Sequence, residues 1–547
     1  MEKILTSTAL WQDFDATAEP LDSNLLTSVE KDGLVFRSLY FTGRSVADGK
    51  TRVFAKLCNK AGKNSKKALL LIDDYTKRID DEELAFWAKN DFLVMAIDFA
   101  GRRPKGPATL YPESLSYCNS ESAMGYFEVG ETVRETKIYE YALNCMRAVT
   151  YLLQAERAKS ISVVTVKKGA RVGVVVLGTD TRVTNGTVVF NSFYRDYPAY
   201  QGKAGKNGKW EGSALQKRLD YEDTRQKWLS GIAPQSYAIQ AKMPVYLIVS
   251  ANSPYDDATN ANKMFLRLNK NSKFLLLPMV MDCLPDEYVD GIVRWCKGNY
   301  ADEDIALQQF PTERGDNFVK VTTSVAPSKV SVWYSRNVNG CARNWVKAPI
   351  KKTEECYVAQ LDVYQQQCDL IAFALVKGTV SVSSTLCEVK VKNPSSVKIP
   401  TRILYVGKSD GHLIPFTKSD RWHSTLNQVE YCKGYLNIVG AKGKGLATFA
   451  INDPGVRRNE IFTVSFDISS NVKQKLNVYA MSNIGKSNTM FVQSVQLVGD
   501  GKWQRVTVDG VNFHMVKEGY QMSEDENVEM LAFEAESDFM INNIFLV

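Results

Sequence analysis

From about residue 34 to 300, short continuous apolar runs alternate with segments of helical spacing. The runs Val53–Leu57, Ala68–Ile72, Phe92–Ile97, Ile161–Val166, Thr187–Phe190, Val245–Val249 and Phe274–Leu277 predict strands. Their lack of polar alternation is what strands covered on both faces require. Between them, Asp81–Lys89 carries Leu84, Phe86 and Trp87 on helical steps. Glu131–Ala158 carries Ile138, Ala142, Cys145 and Met146 in the same way and predicts one long helix. Gly169–Leu177 is expected to be a helix despite its valines, since it follows a strand and a sharp turn, and Asp286–Cys296 closes the series. Short apolar strands alternating with helices predict an α/β domain built on a mostly parallel sheet.

The pattern changes near Phe310-Pro311. Beyond it, Val319–Thr323, Val330–Tyr334, Tyr357–Leu361, Leu370–Val376 and Glu388–Val391 alternate between turns, which predicts a small antiparallel β-sandwich. A second break falls at Asn393-Pro394-Ser395-Ser396. Eight short strands then follow: Val429–Ile438, Gly445–Ile451, Ile461–Ile468, Gln474–Ala480, Val492–Val498, Trp503–Val508, Val528–Ala535 and Phe539–Val547. So many strands in so short a stretch suggest a jelly roll. The expected organisation is 1–310, 311–397 and 398–547, with no internal repeat.

The composition of the 547 residues, 44% hydrophobic and 24% charged, is that of a globular protein. The net charge of +7 is spread unevenly: residues 1–300 hold 41 Lys+Arg against 35 Asp+Glu, and 501–547 hold 3 against 9. The densest basic spots, Lys60-Lys63-Lys66-Lys67 and Lys203-Lys206-Lys209, sit in Gly/Asn-rich loops and read as solvated rather than as a nucleic-acid surface. No apolar run approaches the ~18 residues that suggest a membrane span. The start, Met1-Glu2-Lys3-Ile4-Leu5, lacks the apolar stretch of a signal peptide. Ten scattered cysteines form no C-x-x-C pair. The expectation is a cytoplasmic protein with reduced thiols, no metal site, no cofactor, no nucleic-acid partner and no membrane partner, its oligomeric state left open. The three histidines are His412, His423 and His514. None precedes residue 412, so no Ser-His-Asp or Cys-His site can be built within the first three-quarters of the chain alone. Cys118 and Cys283 therefore read as inert thiols. The acidic pairs Asp73-Asp74, Asp80-Asp81 and Asp256-Asp257 read as turn or cap residues.

The junction Ile161–Leu177 is where strand, tight turn and helix meet, and Thr165-Val166-Lys167-Lys168-Gly169 occupies the turn. Val94-Met95-Ala96-Ile97-Asp98-Phe99-Ala100-Gly101-Arg102, followed by Gly106-Pro107-Ala108-Thr109-Leu110-Tyr111-Pro112, resembles the corresponding stretch of the α/β-hydrolase family, and within it the acetyl-xylan-esterase-like members. The resemblance covers roughly residues 35–300 and implies an α/β-hydrolase-like fold. It also implies a G-x-S-x-G nucleophile elbow at the turn. Lys167 stands where that motif has its serine. Ser253, in Ser250-Ala251-Asn252-Ser253-Pro254-Tyr255, stands at the position of the acid. Asp282, in Pro278-Met279-Val280-Met281-Asp282, stands where the histidine would be, and Asp73-Asp74 replace the histidine-glycine pair of the oxyanion side. The triad is degenerate at all three positions, and the expectation is that Lys167 and Asp282 form an ion pair in the former site. A lysine attacks a carbonyl only when its ammonium is destabilised, and a neighbouring carboxylate does the opposite.

Residues 311–395 resemble the Ig-like module of some bacterial esterase-like proteins, through Val332-Trp333-Tyr334-Ser335-Arg336, Arg343-Asn344-Trp345 and Phe373-Ala374. Residues 400–547 resemble the galactose-binding-like jelly roll of carbohydrate-binding modules, through Gly501-Lys502-Trp503-Gln504-Arg505-Val506-Thr507-Val508 and the last strand Phe539–Val547. Such modules stack sugars on aromatic rings, and the exposed candidates are Trp422, His423, Tyr431 and Tyr435, with Trp503 expected in the core. The leading expectation is a pseudo-esterase that binds a carbohydrate-related ligand or a partner. The alternatives are a carboxylic-ester hydrolase working through a non-standard site and an assembly scaffold.

Overall fold

The computed structural model describes residues 5–63, 65–75, 77–101, 106–119, 129–192, 194, 223–253, 257–280, 284–300, 304–324, 329–338, 340–407, 413–416, 429–457, 462–484, 489–524 and 526–547. Its first part is a nine-stranded sheet. The strands are β1 (Asn24–Lys31), β2 (Leu34–Val46), β3 (Gly49–Lys60), β4 (Lys67–Ile72), β5 (Leu93–Ile97), β6 (Ser160–Val166), β7 (Asn185–Val189), β8 (Val245–Ser250) and β9 (Lys273–Leu277). They lie in the order β1-β2-β3-β5-β4-β6-β7-β8-β9. From β5 to β9 every pairing is parallel, while β1, β2 and β3 add an antiparallel flank. β4, β6, β7 and β8 are almost wholly buried, as continuous apolar runs in a two-sided sheet should be. The architecture is α/β with a mostly parallel sheet, and it fits an α/β-hydrolase-like fold.

Helix α1 (Asp81–Lys89) begins where Asp80 accepts the backbone N–H of Glu82, so Asp80-Asp81 is a cap. Helix α2 runs from Lys137 to Gln154, six residues shorter at its start than its apolar spacing predicts. Thr136 supplies the reason: its hydroxyl accepts the N–H of Tyr139 at 3.2 Å and starts the helix there. Arg147, on α2, donates to the carbonyls of Thr42 (3.0 Å), Ala16 (2.6 Å) and Pro20 (3.0 Å). One guanidinium thus fastens the N-terminal segment to the sheet. Helix α3 (Ala170–Thr179) follows β6 directly through a single 3-10 turn.

Two all-β parts follow. A four-stranded sheet (305–309, 318–323, 357–360, 350–352) faces a five-stranded one built around Lys329–Arg336 and Cys368–Lys377. Val319, Val332, Tyr334, Ala359, Leu370 and Val389 form the core between them. The strand Ile305–Gln309 pairs with Phe318–Thr323, ahead of the sequence break at Phe310. The last part is a ten-stranded antiparallel sheet system with its own core around Phe466, Val478, Phe533 and Ile541. Its two last predicted strands are one, Val528–Leu546. That strand pairs with Gln474–Ser482 in its first half and with Thr463–Ser469 in its second.

The parts are joined by buried polar contacts. Ser381 accepts the Tyr246 hydroxyl at 2.6 Å, and Ser383 Oγ accepts the N–H of Leu276 at 2.8 Å. These contacts cover β9, the outer strand of the large sheet, which would otherwise expose an unpaired edge. At the loop 340–345, Arg343 lies 3.7 Å from Asp257, with side chains only 3% and 6% exposed. Asp257 also caps the helix Ala258–Phe265 by accepting the N–H of Thr259. The Arg343 guanidinium lies 5.9 Å from the ring centre of Trp345, and that ring packs edge-on against Phe373. Asn344 donates to Asp453 at 2.9 Å, and Asn452 donates to the carbonyl of Ala342 at 2.8 Å, so the same loop also holds the C-terminal part. The main apolar core runs without a break from Leu10 through Trp345 and Phe373 to Phe449 and Met530.

No helix among the described residues is long and apolar enough to cross a membrane. Lys60 and Lys63 both pair with Asp91, at 2.8 and 2.7 Å, as solvated loop lysines do. Their attraction and hydrogen bonds hold the Asp91 carboxyl well below the usual carboxylate range. The second basic loop, Lys203-Lys206-Lys209, lies outside the described residues.

Replacing Arg343 by alanine leaves Asp257 as a buried carboxylate without its cation. Losing one partner of a buried pair typically costs about 3–5 kcal/mol. Arg343→Ala should therefore lower the urea midpoint of the first unfolding transition sharply. The double variant Arg343→Met/Asp257→Asn should recover part of the loss. Equal midpoints for Arg343→Ala and the unaltered chain would show that the junction does not depend on this pair.

Candidate functional site

β6 ends at Val166, and the next residue, Lys167, has a φ of +49°. This is the left-handed region, which costs a residue with a Cβ about 1–3 kcal/mol and recurs at functional turns. The turn is tight because nothing fits between it and its neighbours. A Cβ on Gly169 would lie 2.2 Å from the carbonyl oxygen of Ile72 and 2.5 Å from that of Asp73. A Cβ on Gly173 would lie 1.9 Å from Thr165 Cγ2. Helix α3 is therefore pressed onto β4 and β6, and the elbow raises Lys167 at the C-terminal edge of the sheet. A tight left-handed turn between strand and helix is present, and its raised side chain is a half-buried lysine.

The carboxylates near Lys167 come from the end of β4. Asp73 Oδ1 accepts the N–H of Asp74 at 2.6 Å. Burial raises the pKa of Asp73; that hydrogen bond and the charges of Lys77 and Lys167 oppose the rise. Asp74 is buried and lies 3.5 Å from Lys168 Nζ. Both turn lysines thus act on the Asp73-Asp74 pair, an electrostatic partner that sequence spacing did not single out. Asp282, the predicted partner of Lys167, lies outside the described residues, as does Cys283.

Ser253 is 1% exposed and donates its backbone N–H to the carbonyl of Ser250 at 3.3 Å. The residue before it, Asn252, is fully buried and donates to the carbonyls of Cys341 (3.3 Å) and Arg343 (2.7 Å). The loop of Asn252 and Ser253, the latter the predicted acid position, is thus packed against the junction with the β-sandwich. On the neighbouring strand end, Met279 has a φ of +54° and its Sδ receives the N–H of Trp345 at 3.3 Å. The hydroxyl of Ser250 is hydrogen-bonded to the carbonyl of Val280. The role of Asn252 was hidden in the sequence because its partners lie 89 and 91 residues away.

The segment after β5 has a structural explanation. Asp98 is buried and accepts the N–H groups of Gly101 (3.1 Å) and Thr109 (2.9 Å). Gly101, at φ +66°, has no space for a side chain: a Cβ would lie 2.3 Å from Asn119 Oδ1. Cys118 and Cys145 are buried and their thiols are raised well above the ordinary value by desolvation, as inert cysteines should be.

In the C-terminal part, Tyr435 is 46% exposed. Tyr431 is half-buried and packs against the core, so it offers less surface than expected. Trp503 is half-buried as well, not a core residue. It lies over Gly434 and Gly440, where added Cβ atoms would meet its ring at 3.2 and 2.6 Å, and its indole N–H donates to the carbonyl of Tyr435 at 3.1 Å. Trp422 and His423 lie outside the described residues.

No family model matches this sequence, and no curated protein matches it. Solved structures similar to it include an acetyl xylan esterase from Paenibacillus sp. R4, 17% identical, covering 52% of this chain and 91% of that one at a TM-score of 0.40. Acetyl xylan esterase 1 from Thermoanaerobacterium sp. JW/SL YS485 is 14% identical, with 52% and 90% covered and a TM-score of 0.39. A cold-adapted esterase from an Arctic intertidal metagenomic library is 12% identical, with 51% and 100% covered and a TM-score of 0.34.

The left-handed turn makes a stability prediction. Lys167→Gly removes the Cβ penalty and should raise stability by about 1 kcal/mol. Lys168→Gly, at a residue without positive φ, should lower it by about 0.5–1 kcal/mol. Denaturant titration of both variants checks the contrast, and destabilisation by Lys167→Gly would mean that the contacts of the lysine outweigh the strain.

Proposed function

We propose that this chain is a pseudo-esterase: an α/β-hydrolase-like protein without serine-triad chemistry that binds a carbohydrate-related ligand. The observation that carries this reading is Lys167 on the left-handed turn, where hydrolytic chemistry needs a hydroxyl or thiol. Residues 1–411 also hold no histidine. A serine introduced at the turn would find no histidine in this part of the chain to take its proton. Asp73-Asp74 at the oxyanion side add negative charge where a developing oxyanion needs donors.

The binding half of the proposal rests on the C-terminal part, read as a galactose-binding-like jelly roll. Tyr435 presents an exposed ring beside Trp503, whose indole is anchored to the Tyr435 carbonyl. An exposed aromatic on a rigid turn suits the apolar face of a sugar ring.

The purified chain should hydrolyse p-nitrophenyl acetate at the buffer rate, and Lys167→Ser should not change that. A rate well above background that Lys167→Ala abolishes would overturn the assignment. On a glycan array the chain should retain a defined set of sugars, and Tyr435→Ala or Trp422→Ala should weaken binding at least tenfold, about 1.4 kcal/mol. Retention untouched by both substitutions, or no retention, would remove the jelly-roll surface as the binding site.

A further inference from the structure

The large sheet has two edges, and the chain covers one of them. β9 lies against the segment of Ser383, whose Oγ accepts the N–H of Leu276. The other edge is β1, which pairs with β2 and with no further strand among the described residues. All eight of its residues are exposed, so neither face of the strand is covered. Leu25, Leu26 and Val29 are 56%, 41% and 57% exposed.

An open edge of this length is a template for another strand, and folded chains usually guard it with proline, charge or a bulge. β1 has no proline, and its two charges, Glu30 and Lys31, stand together at one end. Its one guard is the register shift between Leu25 and Thr27, which leaves Thr27 to Lys31 regular.

The turn after β1 fixes which backbone groups point outward. Asp32 and Gly33, at φ +52° and +70°, join Lys31 directly to its partner Leu34. A two-residue turn of this hand is flanked by a hydrogen-bonded pair, and such pairs alternate along an antiparallel ladder. Lys31, Val29 and Thr27 therefore turn their N–H and C=O groups to β2. Ser28 and Glu30 turn theirs away from the sheet.

The same strand of a second copy fits this edge. Run antiparallel with the two-fold axis at Ser28, each Ser28 exchanges both backbone bonds with Ser28 of the other copy. Val29 then stands opposite Thr27 of the other copy, twice over, and β-branched side chains pack well across a ladder. Glu30 stands opposite Leu26. The charged end of each strand thus meets the uncharged end of the other, and the aliphatic stems of Glu30 and Lys31 cover the exposed Leu26 and Leu25. Parallel pairing would instead set Glu30 against Glu30 and Lys31 against Lys31. A foreign segment would have to match the charged and uncharged halves separately; a second copy does so by symmetry.

We propose that this chain forms a two-fold dimer through β1, which joins two large sheets into one continuous sheet. The assembly is closed, because each β1 is used once. It involves neither the turn at Lys167 nor Tyr435, and it stands independently of the pseudo-esterase reading.

Sedimentation velocity of the full chain over a concentration series tests this. The mass should rise toward twice that of one chain, with a Kd below about 100 µM. Ser28→Pro removes an N–H that β2 does not use, and Leu26→Lys places a charge in the uncharged half. Each should weaken association at least tenfold and leave the far-UV circular dichroism unchanged. Oxidised Ser28→Cys should form a covalent dimer, since the Cα atoms of a hydrogen-bonded pair lie about 5.5 Å apart, within disulfide reach. Oxidised Glu30→Cys and the unaltered chain should not. Equal association of the unaltered chain and both weakening variants, or equal cross-linking of Ser28→Cys and Glu30→Cys, overturns the proposal. So does a chain that stays monomeric at about 100 µM, which would leave the edge to an extended segment of another protein.

Discussion

The buried pair of Arg343 and Asp257 sits where three parts of the chain meet. Charges this deep are tolerated only when paired and hydrogen-bonded, so the pair fixes the relative position of whatever carries it. Asp257 starts a helix that packs on the large sheet. Arg343 belongs to a loop whose next residue bonds the C-terminal part and whose carbonyls receive Asn252. A shift of the sandwich by one hydrogen-bond length would strand several polar groups at once. Such a junction behaves as one packed body, and the unbroken apolar core across it agrees.

That constraint reaches the elbow. The C-terminal edge of a parallel sheet is where α/β proteins place their ligand groups. Here much of that edge is occupied by the protein itself. Asn252 is bonded to the sandwich, Ser250 to the neighbouring loop, and Asp73 and Asp74 to each other and to the charges of the turn lysines. The strained turn at Lys167 survives within this network. Its geometry follows from the space denied to Gly169 and Gly173, which is a packing requirement and holds whether or not the raised side chain reacts.

The same distinction explains what the sequence disclosed. Helix α1 and strands β4 to β9 were legible because their signals, apolar runs and an N-cap aspartate, are local. Strand β1 was missed because its apolar residues, Leu25, Leu26 and Val29, neither alternate nor form a continuous run, and all its residues are exposed. The last strand was read as two because Glu534, Glu536 and Asp538 interrupt its apolar run, although the backbone continues. There residues 535–538 fall outside the register with the strand Val439–Thr448. At the site, the position of Lys167 followed from the order of elements. Its link to Asp73 and the docking of Asn252 depend on residues about ninety positions away, for which spacing gives no sign.

Where polar groups are committed and where they are not separates packing from binding in this molecule. Along the sheet edge, the Asn252 amide, the Ser250 hydroxyl and the Asp73 carboxylate are each bonded within the protein, so an incoming ligand would have to displace those bonds. On the C-terminal part, the Tyr435 ring is exposed although its backbone is fixed by Trp503. On the proposed pseudo-esterase reading, the surfaces that the molecule uses lie elsewhere than the turn at Lys167. The exposed Tyr435 ring marks one such surface.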